Sequence, residues 1–206
     1  MIETGFLIKA FATLFVVVDP PGLIPMFIAL TPGMTATRRR TIGLHACIVA
    51  AVLLTVFGLA GEAVLNFIGI SMPAFRISGG ILLFLTALDM LFERRTQRRE
   101  GQTAEPDHDP SVFPLATPLI AGPGAMATMI LLVGQAGPGW EGVLAVHVVM
   151  LVVLASAFAL FLVAAPIERA LGRTGNKVIT RLLGMLLAAL SVQFVIDGVR
   201  GTGLIG

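Results

Sequence analysis

The amino-acid sequence predicts an all-α integral membrane protein of six transmembrane helices, arranged as two inverted three-helix repeats with helices 1 and 4 broken. Three observations lead there. Hydrophobic residues fill 56% of the 206 positions and charged residues only 13%, where a soluble domain carries about 25% charged. The apolar residues fall into six runs, each close to the roughly 20 residues needed to cross a hydrocarbon core of about 30 Å. Two of those runs are interrupted at matching places by Pro-Gly pairs, Pro21-Gly22 and Pro123-Gly124.

The first span is expected over residues 6–30. It has neither a basic leader nor a small-residue cleavage site, so it reads as a span and not as a removable signal peptide. The second and third are expected over residues 42–60 and 75–92. A polar linker, residues 93–110, follows with four arginines and five acids. The fourth span is expected over 112–133, the fifth over 143–165 and the sixth over 179–199. The chain thus divides into a first repeat, 1–92, the linker, 93–110, and a second repeat, 111–206. Six spans with short links leave no length for a soluble catalytic domain.

Basic residues orient the spans. The links after spans 1, 3 and 5 carry Arg38, Arg39, Arg40, Arg94, Arg95, Arg98, Arg99, Arg169, Arg173, Lys177 and Arg181, against Lys9, Arg76 and Arg200 on the other side. Since cytoplasmic loops collect Lys and Arg, those three links are expected in the cytoplasm, and both termini in the periplasm of a bacterial inner membrane. Trp140, between spans 4 and 5, suits an anchor at the outer interface.

The duplication rests on paired offsets. Arg76-Ile-Ser-Gly79 and Arg181-Leu-Leu-Gly184 open spans 3 and 6, and Thr86 and Ser191 each follow their arginine by ten positions. Asp89 and Asp197 lie near the far ends of the same spans. Three spans per half is an odd number, so the halves must point in opposite directions.

The interruptions are the candidate substrate site: Asp19, Pro20, Pro21 and Gly22 in span 1, and Thr117, Pro118, Gly122, Pro123 and Gly124 in span 4. Proline removes a backbone donor and pushes the preceding residue out of the helical region. Backbone groups freed at membrane depth are tolerated only where protein or a wet cavity satisfies them. Paired breaks in two halves therefore point to a transport site. Half-helices starting near Gly22 and Gly124 offer positive ends to an anionic group, and the freed carbonyls suit an ammonium or a cation. Asp19 has two compatible readings. One is a group that binds a proton, a cation or a substrate ammonium, because an acid at a helix centre needs a partner or a cavity. The other is a cap on the half-helix that starts at Pro20.

Candidate coupling or gating residues are Asp19, Arg76, Asp89, Arg181, Gln193 and Asp197. Arg76 would pair with Asp197 and Arg181 with Asp89, one gate on each face; the plainer reading of the two arginines is an interfacial anchor whose head reaches water. His45 and His147 read first as packing residues and second as proton relays. One cysteine, Cys47, excludes an intramolecular disulfide or a dithiol carrier. No metal ligand set, cofactor motif, nucleotide-binding motif or nucleic-acid partner is expected.

Four stretches, in this order, resemble the MarC family: Asp19-Pro-Pro-Gly-Leu-Ile-Pro25, Phe75-Arg-Ile-Ser-Gly-Gly-Ile-Leu-Leu-Phe-Leu85, Pro114-Leu-Ala-Thr-Pro-Leu-Ile-Ala-Gly-Pro-Gly-Ala125 and Gln193-Phe-Val-Ile-Asp-Gly-Val-Arg-Gly201. The likeness covers essentially the whole chain. The matching motif positions are Asp19, Pro20, Gly22, Pro25, Arg76, Gly79, Gly80, Pro118, Gly122, Pro123, Gly124, Arg181, Gly184, Gln193 and Asp197. That family is similar to the LysE-type exporter superfamily, and the resemblance implies a 3+3 duplicated arrangement and a link to transport of small neutral amino acids such as glycine and alanine. The function expected is therefore a secondary transporter coupled to a proton or sodium. A passive channel, a non-transporting membrane partner, and a membrane enzyme or electron carrier are the competing classes. Direct partners are the solute, the coupling ion and the bilayer, and a homo-oligomer is compatible with the sequence.

Overall fold

In the computed structural model, residues 3–92, 109–137 and 139–203 are described. They are helical apart from short connections: α1 Thr4–Val18, α2 Pro20–Leu30, α3 Ala36–Ile68, α4 Met72–Leu91, α5 Ser111–Ile120, α6 Pro123–Gln135, α7 Trp140–Leu162 and α8 Ala164–Gly201. The segments α1 and α2 form one interrupted span, Thr4–Leu30, and α5 and α6 form a pair bent by 55°. Among the described residues five helices are long and apolar enough to cross a membrane, and the bent pair makes a sixth if it counts as one span. The all-α membrane architecture and the breaks in spans 1 and 4 agree with the sequence. Most of the expected polar linker, residues 93–108, lies outside the described residues.

Helix α3 runs well past its expected limits, for a physical reason. Hydropathy marks only the part of a helix that needs lipid, whereas a helix continues into water as long as its ends are satisfied. The 33 residues of α3 span about 50 Å at 1.5 Å per residue. Its polar first turn holds Arg38–Arg40, and Thr35 at the N-cap accepts a hydrogen bond from Arg38 N at 3.3 Å. The range α8 is different: it holds two helices joined at a kink, Gly172 (φ 62°, ψ 179°), the first in the polar link from Ala164 and the second carrying the apolar stretch Lys177–Gly201.

The broken spans sit at the centre. In the first span 67% of the apolar window is buried, against 28–39% in the four unbroken spans. Residues 127–133 of α6 are all buried. Around them, α3, α4, α7 and α8 each bury one face and expose another: Ile48, Val52 and Val56 on α3, Leu144, Val148 and Leu151 on α7, Met185 and Leu186 on α8. So much exposed apolar surface suits contact with lipid tails and not with water.

Helix α4 and helix α8 lie antiparallel along a seam of glycines. Gly198 abuts Pro73 and Ile77, Gly80 abuts Ser191 and Val195, and Gly184 abuts Ala87 and Met90. A β-carbon on Gly80 would lie 2.8 Å from the Ser191 carbonyl oxygen and 3.0 Å from Val195 N, so only glycine lets the backbones approach this closely. The helices α3 and α7 also run antiparallel, with Gly43 against Phe161 and Gly58 against His147. Trp140, 73% exposed at the start of α7, therefore lies at the end of the bundle opposite Arg38–Arg40.

Candidate functional site

The first interruption is built by Asp19 itself. Its backbone turns left-handed (φ 55°, ψ 60°) after its N–H has bonded to Phe15 O at 2.9 Å, which ends α1. Pro20 and Pro21 then open α2, where the donors they lack would have had no helical partner. Oδ1 of Asp19 accepts the Gly22 N–H at 3.1 Å, and its carbonyl accepts Leu23 N at 3.1 Å. The side chain is wholly buried. Any β-carbon on Gly22 would collide with the Asp19 carboxylate, so the glycine is required by the cap. The capping reading of Asp19 thus holds; the burial leaves its second reading open beside it.

The second interruption is more extended. Phe113 (φ −129°, ψ 127°) and Thr117 (φ −129°, ψ 124°) leave the helical region, and the prolines that follow them are joined through cis peptide bonds. The segment turns at Ala121, whose N–H bonds to Ala116 O at 2.8 Å. Gly122 then opens α6 with extended backbone, and a β-carbon there would lie 2.6 Å from the Pro118 carbonyl oxygen. Pro123 occupies the first turn of α6. Thr117 and Pro118 are partly buried and Pro123 is exposed.

The start of α6 packs at Gly124 on the last turn of α1. A β-carbon there would lie 3.4 Å from Val17 Cγ1, 3.5 Å from Leu83 Cδ2 and 3.7 Å from Thr86 Oγ1. Val17 precedes Asp19 by two residues. The structure therefore brings α1, α4 and the start of α6 together, and adds Thr86, which the sequence flagged only as a mark of duplication. Thr86 Oγ1 donates to its own helix, to Leu82 O at 3.0 Å. Thr128, one turn further along α6, donates to Gly124 O at 2.8 Å.

The gating candidates lie along the α4–α8 seam. Arg76 and Asp197 neighbour the contact of Ile77 with Gly198, but no ion pair joins them among the described residues. Asp197 instead accepts a hydrogen bond from Gln193 Nε2 at 2.8 Å, and Arg76 Nε is buried with no hydrogen bond among the described residues. A partner one helical turn away on the same face satisfies the acid locally, without an interhelical bridge. Asp89 and Arg181 flank the other end of the seam, where Gly184 packs on Ala87 and Met90. His147 Nδ1 donates to Val143 O at 2.7 Å, consistent with packing.

His45 has neighbours that sequence reasoning missed. Ser111 Oγ lies 3.3 Å from His45 Nδ1, and Asp109 Oδ2 lies 3.9 Å from the same nitrogen. Asp109 Oδ1 accepts Ser111 N at 3.0 Å. The run Asp109-Pro110-Ser111 was a readable turn signal, but only folding brings it to α3. The backbone and hydroxyl hydrogen bonds of Ser111, aided by His45 and Arg38 nearby, hold the Asp109 carboxyl below its ordinary range. A depressed carboxyl stabilises the fold above its unfolded pKa of about 4 and loses that contribution as pH falls through the lower folded value. Thermal stability in detergent should therefore fall below pH of about 4, and Asp109→Asn should flatten that part of the profile. With the carboxyl side chain 49% exposed, the effect should stay within about 1 kcal/mol.

Comparison with known proteins places this sequence in a family. Residues 4–202 match the family described as MarC family integral membrane protein. A UPF0056 membrane protein of Archaeoglobus fulgidus is 38% identical over 203 residues, covering 94% of this chain and 92% of the relative. A UPF0056 membrane protein of Aquifex aeolicus is 37% identical, covering 97% and 95%. The UPF0056 inner membrane protein YhgN of Escherichia coli K12 is 34% identical, covering 94% and 96%. No solved structure matches.

Proposed function

The chain belongs to the MarC family of integral membrane proteins, and from the paired interruptions at its centre we propose that it is a secondary transporter of a small neutral amino acid such as glycine or alanine. The observation that carries this reading is the packing of the start of α6, at Gly124, on the last turn of α1, at Val17, two residues before the buried Asp19. Non-helical backbone in the middle of a membrane bundle needs donors and acceptors from protein or solute. A zwitterion supplies both. Its carboxylate suits the N-terminal end of α6, since the Asp19 carboxylate already caps α2, and its ammonium suits Asp19 or the carbonyls freed around Thr117 and Pro118. Glycines at both breaks favour a small cargo.

In this reading Asp19 also carries the coupling proton or sodium ion, Arg76, Gln193 and Asp197 line one exit, and Asp89 and Arg181 line the other. The halves 1–92 and 111–206 are inverted repeats, a relation supported by the antiparallel seam of α4 and α8. The basic links face the cytoplasm and both termini the periplasm of a bacterial inner membrane; the name of the Escherichia coli relative, an inner membrane protein, supports the membrane alone, and the charge bias supports the orientation. The protein performs no covalent chemistry of its own.

Proteoliposomes offered radiolabelled amino acids under imposed proton or sodium gradients test this directly. Saturable accumulation of glycine or alanine, lost when the gradient is collapsed, is expected. Non-saturating flux that ignores the gradient would make the chain a channel. No flux of any amino acid would leave it a non-transporting partner.

A further inference from the structure

A cavity of about 500 Å³ opens at the basic end of the bundle, away from the central breaks, between the first turn of α3 and the junction of α7 with α8. Two kinds of surface line it. Arg39 and Arg40 supply positive charge, while Met34, Phe161, Leu162 and Ala165 are apolar. The first turn of α3 also lines it, and the amides of a helix's first turn carry partial positive charge.

Arg39 is held in place by an aromatic stack. Its guanidinium lies 5.5 Å from the Phe27 ring centroid, and Phe27 stacks on Phe161 with centroids 4.4 Å apart and planes at 14°. Gly43 makes room for the stack, since a β-carbon there would lie 3.3 Å from Phe161 Cδ2. Nη2 of Arg39 is buried and makes no hydrogen bond among the described residues. A fixed guanidinium with an unanswered donor, beside a second arginine, fits an oxyanion whose oxygens accept in the plane of the fork.

The apolar half of the lining separates a lipid from a free anion. Leu162 is 52% exposed and Val163 next to it 46%, so the cavity continues onto the lipid-facing side of α7. We propose that this cavity seats the headgroup of an anionic phospholipid. Arg39 and Arg40 hold its phosphate, and Met34, Phe161 and Leu162 cover the glycerol and first acyl carbons. Basic pockets between membrane helices have this character where they meet anionic headgroups. The site is independent of whether the central breaks carry solute.

The test uses the purified full chain in an uncharged detergent, with lipid binding followed by native mass spectrometry. Dioleoyl phosphatidylglycerol should bind at least about tenfold more tightly than dioleoyl phosphatidylcholine, and Arg39→Gln/Arg40→Gln should lose that preference. The charge-matched Arg38→Gln/Arg200→Gln pair should keep it. Ala165→Trp, which fills the cavity and leaves both arginines in the chain, should also lower phosphatidylglycerol affinity and decides the matter if the double arginine variant does not fold. Equal affinity for the two lipids would overturn the proposal, and so would equal loss in the charge-matched pair or full binding to Ala165→Trp. Displacement of phosphatidylglycerol by millimolar inorganic phosphate would overturn it in favour of a free-phosphate site.

Discussion

Asp19→Asn is expected to leave expression and thermal stability close to those of the parent while abolishing gradient-driven accumulation of solute. The carboxamide oxygen can still accept the Gly22 N–H that the carboxylate accepts at 3.1 Å. Asn also tolerates the left-handed backbone that Asp19 adopts. Shape and cap therefore survive. Charge and titration do not, and an acid at a helix centre costs roughly 2.5–3.5 kcal/mol on insertion scales, a cost that function explains better than capping, which Asn or Ser would perform more cheaply. Exchange of labelled for unlabelled solute should persist if Asp19 serves coupling and not binding. Asp19→Ala, which removes the capping oxygen as well, should lose about 1 kcal/mol of stability in addition. Accumulation at the parental level by Asp19→Asn would reduce Asp19 to a cap and move the search for the coupling group to Asp89, Asp197 or the histidines.

The parts of the fold that lipid imposes were legible in the sequence. Spans appear as apolar runs because the bilayer demands them, and Pro21 and Pro123 mark breaks because proline cannot sit inside a helix without cost. What was hidden depends on neighbours distant in sequence. Nothing local says that α3 starts at Ala36, because Arg38–Arg40 are as compatible with a loop as with a solvated helical turn. The 55° bend between α5 and α6 falls at Ala121 and Gly122, which leave the helical region just before Pro123, so its cause was visible and its angle was not. Thr86 carried a signal of duplication, yet its place facing Gly124 needs the packing of α4 on α6. The cluster of His45, Ser111 and Asp109 needs α5 to fold against α3. Arg76 and Asp197 were expected to pair because they share a membrane face, but a shared face fixes depth and not direction, and Gln193 is the nearer partner of the acid on its own helix.

Gly22→Ala should be strongly destabilising, against the usual sign. Within a helix, replacing glycine by alanine normally stabilises by about 0.5–1 kcal/mol, because the unfolded chain loses freedom. Here the new methyl would occupy space held by the Asp19 carboxylate. The carboxylate must leave Gly22 N, so the cap is lost at about 1–2 kcal/mol. A buried acid must also find new hydrogen bonds in an apolar surround, at about 1–3 kcal/mol. Together these exceed the entropic gain, and thermal unfolding in detergent should shift downward by several degrees. Solute accumulation should fall with it, since the break near Val17 and Gly124 would repack. The cause is checked by a second substitution. In Gly22→Ala/Asp19→Ala the colliding group is gone, so the double variant should unfold at a higher temperature than Gly22→Ala alone, a non-additivity expected only of groups in contact. If Gly22→Ala unfolds at the parental temperature, the carboxylate is not held against this glycine, and the geometry proposed for the first break is wrong.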